Sequence, residues 1–284
     1  RDSIYEILVD EATDFAYMPL NAFITYTTDT SSFGGGNNYT MIAGSVIAGA
    51  GRYLIANDNI QSAADLDGKV VGIPNDSYSH EVLFNRYLEE YGLSTDTIGG
   101  TIIVEHVDYI GRLNEGLGEG EFDAILTRDN RPALESARDL APTSHLLENI
   151  EAANYFGEIN TMVLIVNNDL INNKPKLVEE YLKVHVRSTI EAVENKESLI
   201  QLNLEQMADF FESIGQEAQF EFNTSEEDMQ RRWSGSNPTY ELNYNHIREV
   251  YTFINEAGYA NVGDASRFVN ISFLNKALEE LEKE

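Results

Sequence analysis

Lys69-Val70-Val71-Gly72-Ile73-Pro74-Asn75-Asp76-Ser77-Tyr78-Ser79 is the stretch on which the fold turns. Its first half is a continuous apolar run, the pattern of a strand buried on both faces of a parallel sheet. Its second half offers polar helix caps, after which Val82, Leu83, Leu88 and Tyr91 recur at helical spacing up to the stop at Gly92. Strand, capping loop and helix make one α/β unit. A helix N-terminus carries unpaired N–H groups and a partial positive charge, so Asn75, Asp76, Ser77 and Tyr78 are candidate contacts for an anion or a carbonyl. Plain capping by Ser77 or Asp76 is the structural alternative, and capping and binding can coexist. The Asp76 carboxylate would compete with an anionic ligand for the same N–H groups.

Working outward, the unit repeats. Thr101 to Val104 predicts a strand, Asp108 to Leu117 a helix, and Phe122 to Leu126 a strand ending at Thr127-Arg128-Asp129. Upstream, Tyr39 to Ile47 and Arg52 to Ala56 read as strands joined through the glycine-rich Ala48-Gly49-Ala50-Gly51. Downstream, Thr161 to Asn167 precedes a helix with Pro175 in its first turn and an apolar face of Leu177, Val178, Tyr181 and Leu182. Three further helices are expected, at Leu199 to Ser213, Glu241 to Ala257 and Ser272 to Lys283, with a polar linker from Phe222 to Pro238. The alternation of strand and helix predicts an α/β fold with mostly parallel sheets flanked by helices.

Composition narrows the function. A chain of 284 residues with 42% hydrophobic content can bury a full core, in one large domain or two lobes. No run of apolar residues is long enough to span a membrane, and the opening Arg1-Asp2-Ser3 does not read as a signal peptide. The 48 acidic against 19 basic residues give a net charge of −29, a field that repels nucleic acid and anionic membranes. With no cysteine, disulfides, thiolate metal sites and thiol nucleophiles are excluded, and an oxidising compartment is permitted. The five histidines include no HExxH pair, and Ser79-His80-Glu81 is a run of neighbours that cannot converge as a triad. Gly34-Gly35-Gly36 lacks the Lys-Ser/Thr of a phosphate loop. No catalytic group, metal site or cofactor is therefore expected.

Four segments together carry a resemblance. They are Ile7 to Ala16 with its Asp14-Phe15-Ala16, Ser62 to Pro74, Gly120-Glu121-Phe122-Asp123-Ala124-Ile125-Leu126, and Val163 to Val166 followed by Lys176 to Leu182. In this order they resemble the periplasmic-binding-protein-like family of nitrate, sulfonate, taurine and thiamine-precursor importers. Asp10 and Glu11 stand where that family has small residues. The resemblance implies a two-lobed type II binding-protein fold, with residues 1–57 and 161–284 in one lobe and 58–160 in the other. It implies crossing segments near Tyr53 to Asn57 and Glu158 to Met162 acting as a hinge, with a small molecule held in the cleft between lobes. The family's opening strand, helix and strand have no counterpart before Ile7, which points to a trimmed chain or to another segment in their place.

Within that frame, further candidates for the cleft are Tyr17 and Met18 at a strand exit, with core packing as their alternative. Arg128, at the end of its strand, is a candidate clamp for a sulfonate, carboxylate or phosphate, or else the partner of Asp129 or Glu135. Glu158, Asn160 and Thr161 lie at the return crossing, where hinge residues also reach ligand. The resemblance implies a monomeric, extracytoplasmic, non-enzymatic protein that delivers its ligand to a membrane permease. Alternatives are a sensing module for a membrane receptor and a thiamine-pyrimidine-synthase-like enzyme, the latter disfavoured by the absence of cysteine.

Overall fold

A computed structural model describes residues 2–29, 36–48, 51–74, 78–107, 110–128, 137–213 and 236–283. In chain order the elements are α1 (Asp2–Val9), β1 (Phe15–Pro19), α2 (Leu20–Thr28), β2 (Tyr39–Ala48), β3 (Gly51–Ala56), β4 (Val70–Pro74) and α3 (Tyr78–Glu89). They continue with β5 (Ile103–Val107), α4 (Ile110–Glu119), β6 (Ala124–Arg128), β7 (His145–Glu151), α5 (Ala153–Phe156), β8 (Ile159–Asn167) and α6 (Asn168–Asn173). The remainder are α7 (Pro175–Glu194), α8 (Lys196–Ser213), β9 (Ser236–Pro238), α9 (Tyr244–Glu256) and α10 (Ser272–Leu281).

The strands form two sheets, ordered β1-β8-β2-β9 and β5-β4-β6-β3-β7, one in each lobe of an α/β fold. In the first, Val163 to Val166 of β8 are all fully buried because the sheet is covered on both faces. Val163 and Ile165 point into a core with Phe23, Ile24 and Tyr251 of α2 and α9. Leu164 and Val166 point the other way, onto Val178, Leu182 and Phe273 of α7 and α10. In the second lobe Val71 and Ile73 of β4 pack with Leu83 and Phe84 of α3, while Ile125 of β6 packs with Leu113 and Leu117 of α4. Gly72 has a local cause: a Cβ there would come within 2.8 Å of the Leu113 side chain, so its absence lets α4 lie close on the sheet.

Strand polarity differs from the mostly parallel expectation. Among the described strands of the second sheet, β4, β5, β6 and β7 point one way and β3 runs against them; the neighbouring parallel pairs are β4–β5 and β4–β6, joined through the helices α3 and α4. β3, which brings the chain into the second lobe, lies between β6 and β7 and pairs antiparallel with both. In the first lobe the returning β8 threads between β1 and β2 against the direction of both, and β9 also pairs antiparallel with β2.

The crossings also move. Tyr53 to Ala56 already hydrogen-bond in the second sheet, so the outward crossing lies between Ala48 and Gly51, earlier than the expected Tyr53 to Asn57. The return falls between Glu151, the last residue of β7, and Ile159, which pairs with Ala48. Met162 is inside β8, paired with Pro19 and Val46. Leu177, expected on the buried face of α7, is 46% exposed, and His185 takes a place on that face instead. Of the expected polar linker, Ser236 to Pro238 form β9; the rest, with Trp233, lies outside the described residues.

Candidate functional site

Two helices from different lobes bring their first turns together. Pro19, at φ −57°, ends β1 and starts α2 without a spacer, which places Asn21 at the carboxyl end of that strand. Across from it, α3 begins at Tyr78 beyond the carboxyl end of β4. Ser79 Oγ donates to Asn21 Oδ1 at 2.7 Å, a direct contact between the lobes. The convergence lies outside the carboxyl ends of strands in both sheets, where open α/β folds hold ligands. The positive dipole ends of both helices face the same region. Tyr78 leans on Tyr259, their ring centroids 5.2 Å apart, and burial raises its phenol pKa. Its predicted companions Asn75, Asp76 and Ser77 lie outside the described residues.

Tyr17 and Met18 point to opposite faces of β1. Met18 is fully buried in the first-lobe core, so it takes the packing alternative and offers no surface to a cleft. Tyr17 is 45% exposed and its hydroxyl lies 3.0 Å from His185 Nδ1. The two residues line an open cavity of about 550 Å³ with Val46, Leu199, Leu202 and Pro238, all within one lobe. Among the described residues that line it, none is an acid, a lysine or an arginine. Burial lowers the pKa of His185 and raises that of Tyr17.

The residues at the return crossing hold the chain in place. Asn160 is buried; its Nδ2 donates to the Glu241 carbonyl at 2.9 Å, and its Oδ1 accepts from the Asn243 N–H at 2.7 Å. Asn243 in turn donates to the carbonyls of Phe156 and Glu158, both at 2.9 Å. Gly44 completes this knot, since a Cβ there would sit 2.0 Å from the Glu241 oxygen. Glu158 is exposed, and Thr161 Oγ1 makes only a long 3.5 Å contact with the Val46 carbonyl. Arg128 ends β6 with its backbone opposite Arg52; its side chain lies outside the described set.

Residues that sequence reasoning passed over include Asn21, Glu81, His106 and Tyr259. Glu81 is wholly buried beneath the first turn of α3. Its carboxylate accepts from Thr97 and Thr95 on Oε1, and from Tyr259 (2.8 Å) and His106 (3.1 Å) on Oε2. A glutamate among the apolar positions of a helix was the available signal, since a buried carboxylate requires donors. Among the described residues no cluster of three or more His, Cys, Asp or Glu side chains is placed to hold a metal, and no helix is long and apolar enough to cross a membrane.

Solved structures share this architecture. The periplasmic sulfonate-binding protein SsuA of a sulfonate ABC transporter from Methylobacillus flagellatus KT superposes with a TM-score of 0.64 at 18% identity, over 100% of this chain and 80% of that one. The periplasmic aliphatic sulphonate-binding protein SsuA from Escherichia coli gives 0.61 at 14% identity, over 94% and 79%. The desulfurization enzyme DSZB gives 0.56 at 12% identity, over 96% and 87%, so an enzyme also uses this fold. These likenesses establish the periplasmic-binding-protein fold. Comparison with curated proteins returns no match. The profile of the NMT1/THI5-like family matches residues 50–198, which take in the second lobe, the return strand β8 and α7. With more than half its length matched and the two-lobed fold in place, the chain belongs to the NMT1/THI5-like family.

Proposed function

We propose that this chain is the extracytoplasmic solute-binding component of an ABC importer, capturing a small molecule between its lobes and presenting it to a membrane permease. One observation carries the reading: the first turns of α2 and α3, from different lobes, meet at the Asn21–Ser79 hydrogen bond. A ligand bound there touches both lobes, so binding energy becomes closure energy. The lobes pivot where the chain passes between the two sheets, after β2 and after β7. The 550 Å³ cavity at Tyr17 is the less suitable place for capture, since its described lining comes from one lobe and filling it does not couple to closure. The SsuA proteins of the same fold bind sulfonates, which supports a ligand of that size.

The described side chains at the junction, Asn21, Tyr78 and Ser79, are uncharged hydrogen-bonding groups. They suit a molecule presenting oxygen or ring-nitrogen acceptors, namely a sulfonate, another small oxyanion or a pyrimidine-like vitamin precursor. The −29 net charge slows approach of an anion at low salt and leaves a neutral heterocycle unaffected, which favours the neutral class. The protein performs no chemistry on the ligand and acts as a monomer.

Native mass spectrometry of the protein as purified, followed by thermal-shift screening against sulfonates, oxyanions and pyrimidines, tests the reading. A ligand that binds only the folded state raises the melting temperature saturably. A folded, monomeric protein that responds to none of the three classes overturns it.

A further inference from the structure

The buried carboxylate of Glu81 is caged from two directions. Its own lobe supplies Thr97 and Thr95, on the turn after α3, and His106 from β5. The remaining donor is the Tyr259 hydroxyl, which belongs to the first lobe. His106 Nε2 also stands 2.9 Å from that hydroxyl, and the two rings meet edge to face at 88°. Because Tyr259 donates to Glu81, its oxygen is free to accept, and His106 must carry its proton on Nε2 to serve either partner. Tyr259 is aimed by the end of α9. Gly258, at φ +72°, turns the chain, and the Tyr259 N–H returns to the Ile254 carbonyl at 3.1 Å. Asn255 then fixes the following loop through Val262 N and the Gly263 carbonyl.

We propose that Tyr259 is a positioning residue for the interlobe site: its hydroxyl, seated on the Glu81–His106 pair of the opposite lobe, is the latch that sets the separation of the lobes. Glu81 and the Asn21 partner Ser79 share the first turn of α3, and Tyr78 of that turn rests on the Tyr259 ring. The latch therefore acts on the helix start that faces the ligand. When the lobes part, water replaces the tyrosine on Oε2 while Thr95, Thr97 and His106 stay, so the contact exchanges at small net cost and can open repeatedly. The functional consequence rests on the capture reading above; the latch itself does not.

The test is the lobe separation without ligand. The chain has no cysteine, so Glu119→Cys on α4 and Lys176→Cys on α7 accept a spin-label pair at two exposed positions in different lobes. Tyr259→Phe keeps the ring on Tyr78 and Phe253 and removes the hydroxyl. Its interlobe distance distribution is expected to shift to longer values and broaden, with an unfolding midpoint close to the parent's. Glu81→Gln, which turns an amide toward the same donors, is expected to give the same shift from the other lobe. Distance distributions superimposable on the parent's in both variants overturn the latch. No ligand enters this measurement, so a failed ligand screen sinks the capture reading alone, and unchanged distances in a protein that binds a sulfonate sink the latch alone.

Discussion

The Tyr17 hydroxyl and His185 Nδ1 stand 3.0 Å apart, and the other ring nitrogen of His185 lies 2.8 Å from the Gly44 carbonyl. A carbonyl can only accept, so Nε2 carries the proton and Nδ1 receives the tyrosine O–H. The pair ties the edge strand β1 to α7 and, through Gly44, to β2.

Tyr17→Phe leaves the acceptor at Nδ1 without its donor on a largely buried ring. A loss of about 1–2 kcal/mol in urea unfolding at neutral pH is expected. Burial holds the His185 pKa below its usual value, so the stability from its neutral form is complete above about pH 6.5 and is lost as pH falls through the folded value.

His246 gives a sharper pH signature. It is buried at the start of α9 against Phe156, and desolvation lowers its pKa to about 4. An unfolded chain takes up this proton near pH 6.5, the folded one only near 4, so stability falls across that window as the solution is acidified. The difference amounts to about 3 kcal/mol between neutral pH and pH below 4. Urea midpoints of the parent and His246→Leu, measured from pH 7 to 4, are expected to converge as pH falls.

Asn160→Ala removes both bonds that Asn160 makes to the 241–243 loop and strands the Glu241 carbonyl and the Asn243 N–H. A destabilisation of about 2–4 kcal/mol is expected, as for two polar groups deprived of partners in a buried setting. Asn160→Asp keeps the acceptor for Asn243 and loses the donor, so its midpoint should differ from that of alanine. Equal midpoints for all three proteins count against the knot.

Asn21→Ala and Ser79→Ala each break the contact between the converging helix starts. For the compound with the largest thermal shift, isothermal titration is expected to give a dissociation constant about 3–10-fold higher in each, the size of one lost hydrogen bond. Because both residues form one bond, the double variant should lose little more than either single one. Additive losses would mean that the two side chains act separately on the ligand.

Much of this architecture is legible in the chain because it rests on local rules. The apolar run at β4, the apolar spacing of α3 and the stop at Gly92 read directly as strand and helix. The run Val163 to Val166 announces a strand covered on both faces. β7 escapes sequence reading because His145 to Glu151 mixes charged residues with apolar ones on a strand at the sheet edge. The outward crossing falls earlier than expected because Tyr53 to Ala56 carries no mark of which sheet it joins; that is decided by β6 and β7, far away in sequence. The site was legible only on one side. The start of α3 could be singled out as a helix N-terminus, but its facing partner Asn21 and the donor Tyr259 belong to remote segments, and no periodicity connects them.

Val82 carries a consequence for how the molecule comes apart. It projects from the second lobe's helix α3 but is buried in the first-lobe core with Phe253 and Ile254, while Leu83 and Phe84, next along the helix, pack on their own sheet. One helix thus serves two hydrophobic interiors. Melting either lobe removes a wall from the other, so the lobes cannot denature independently. Heating is expected to produce one calorimetric transition for the whole chain, its van't Hoff and calorimetric enthalpies equal.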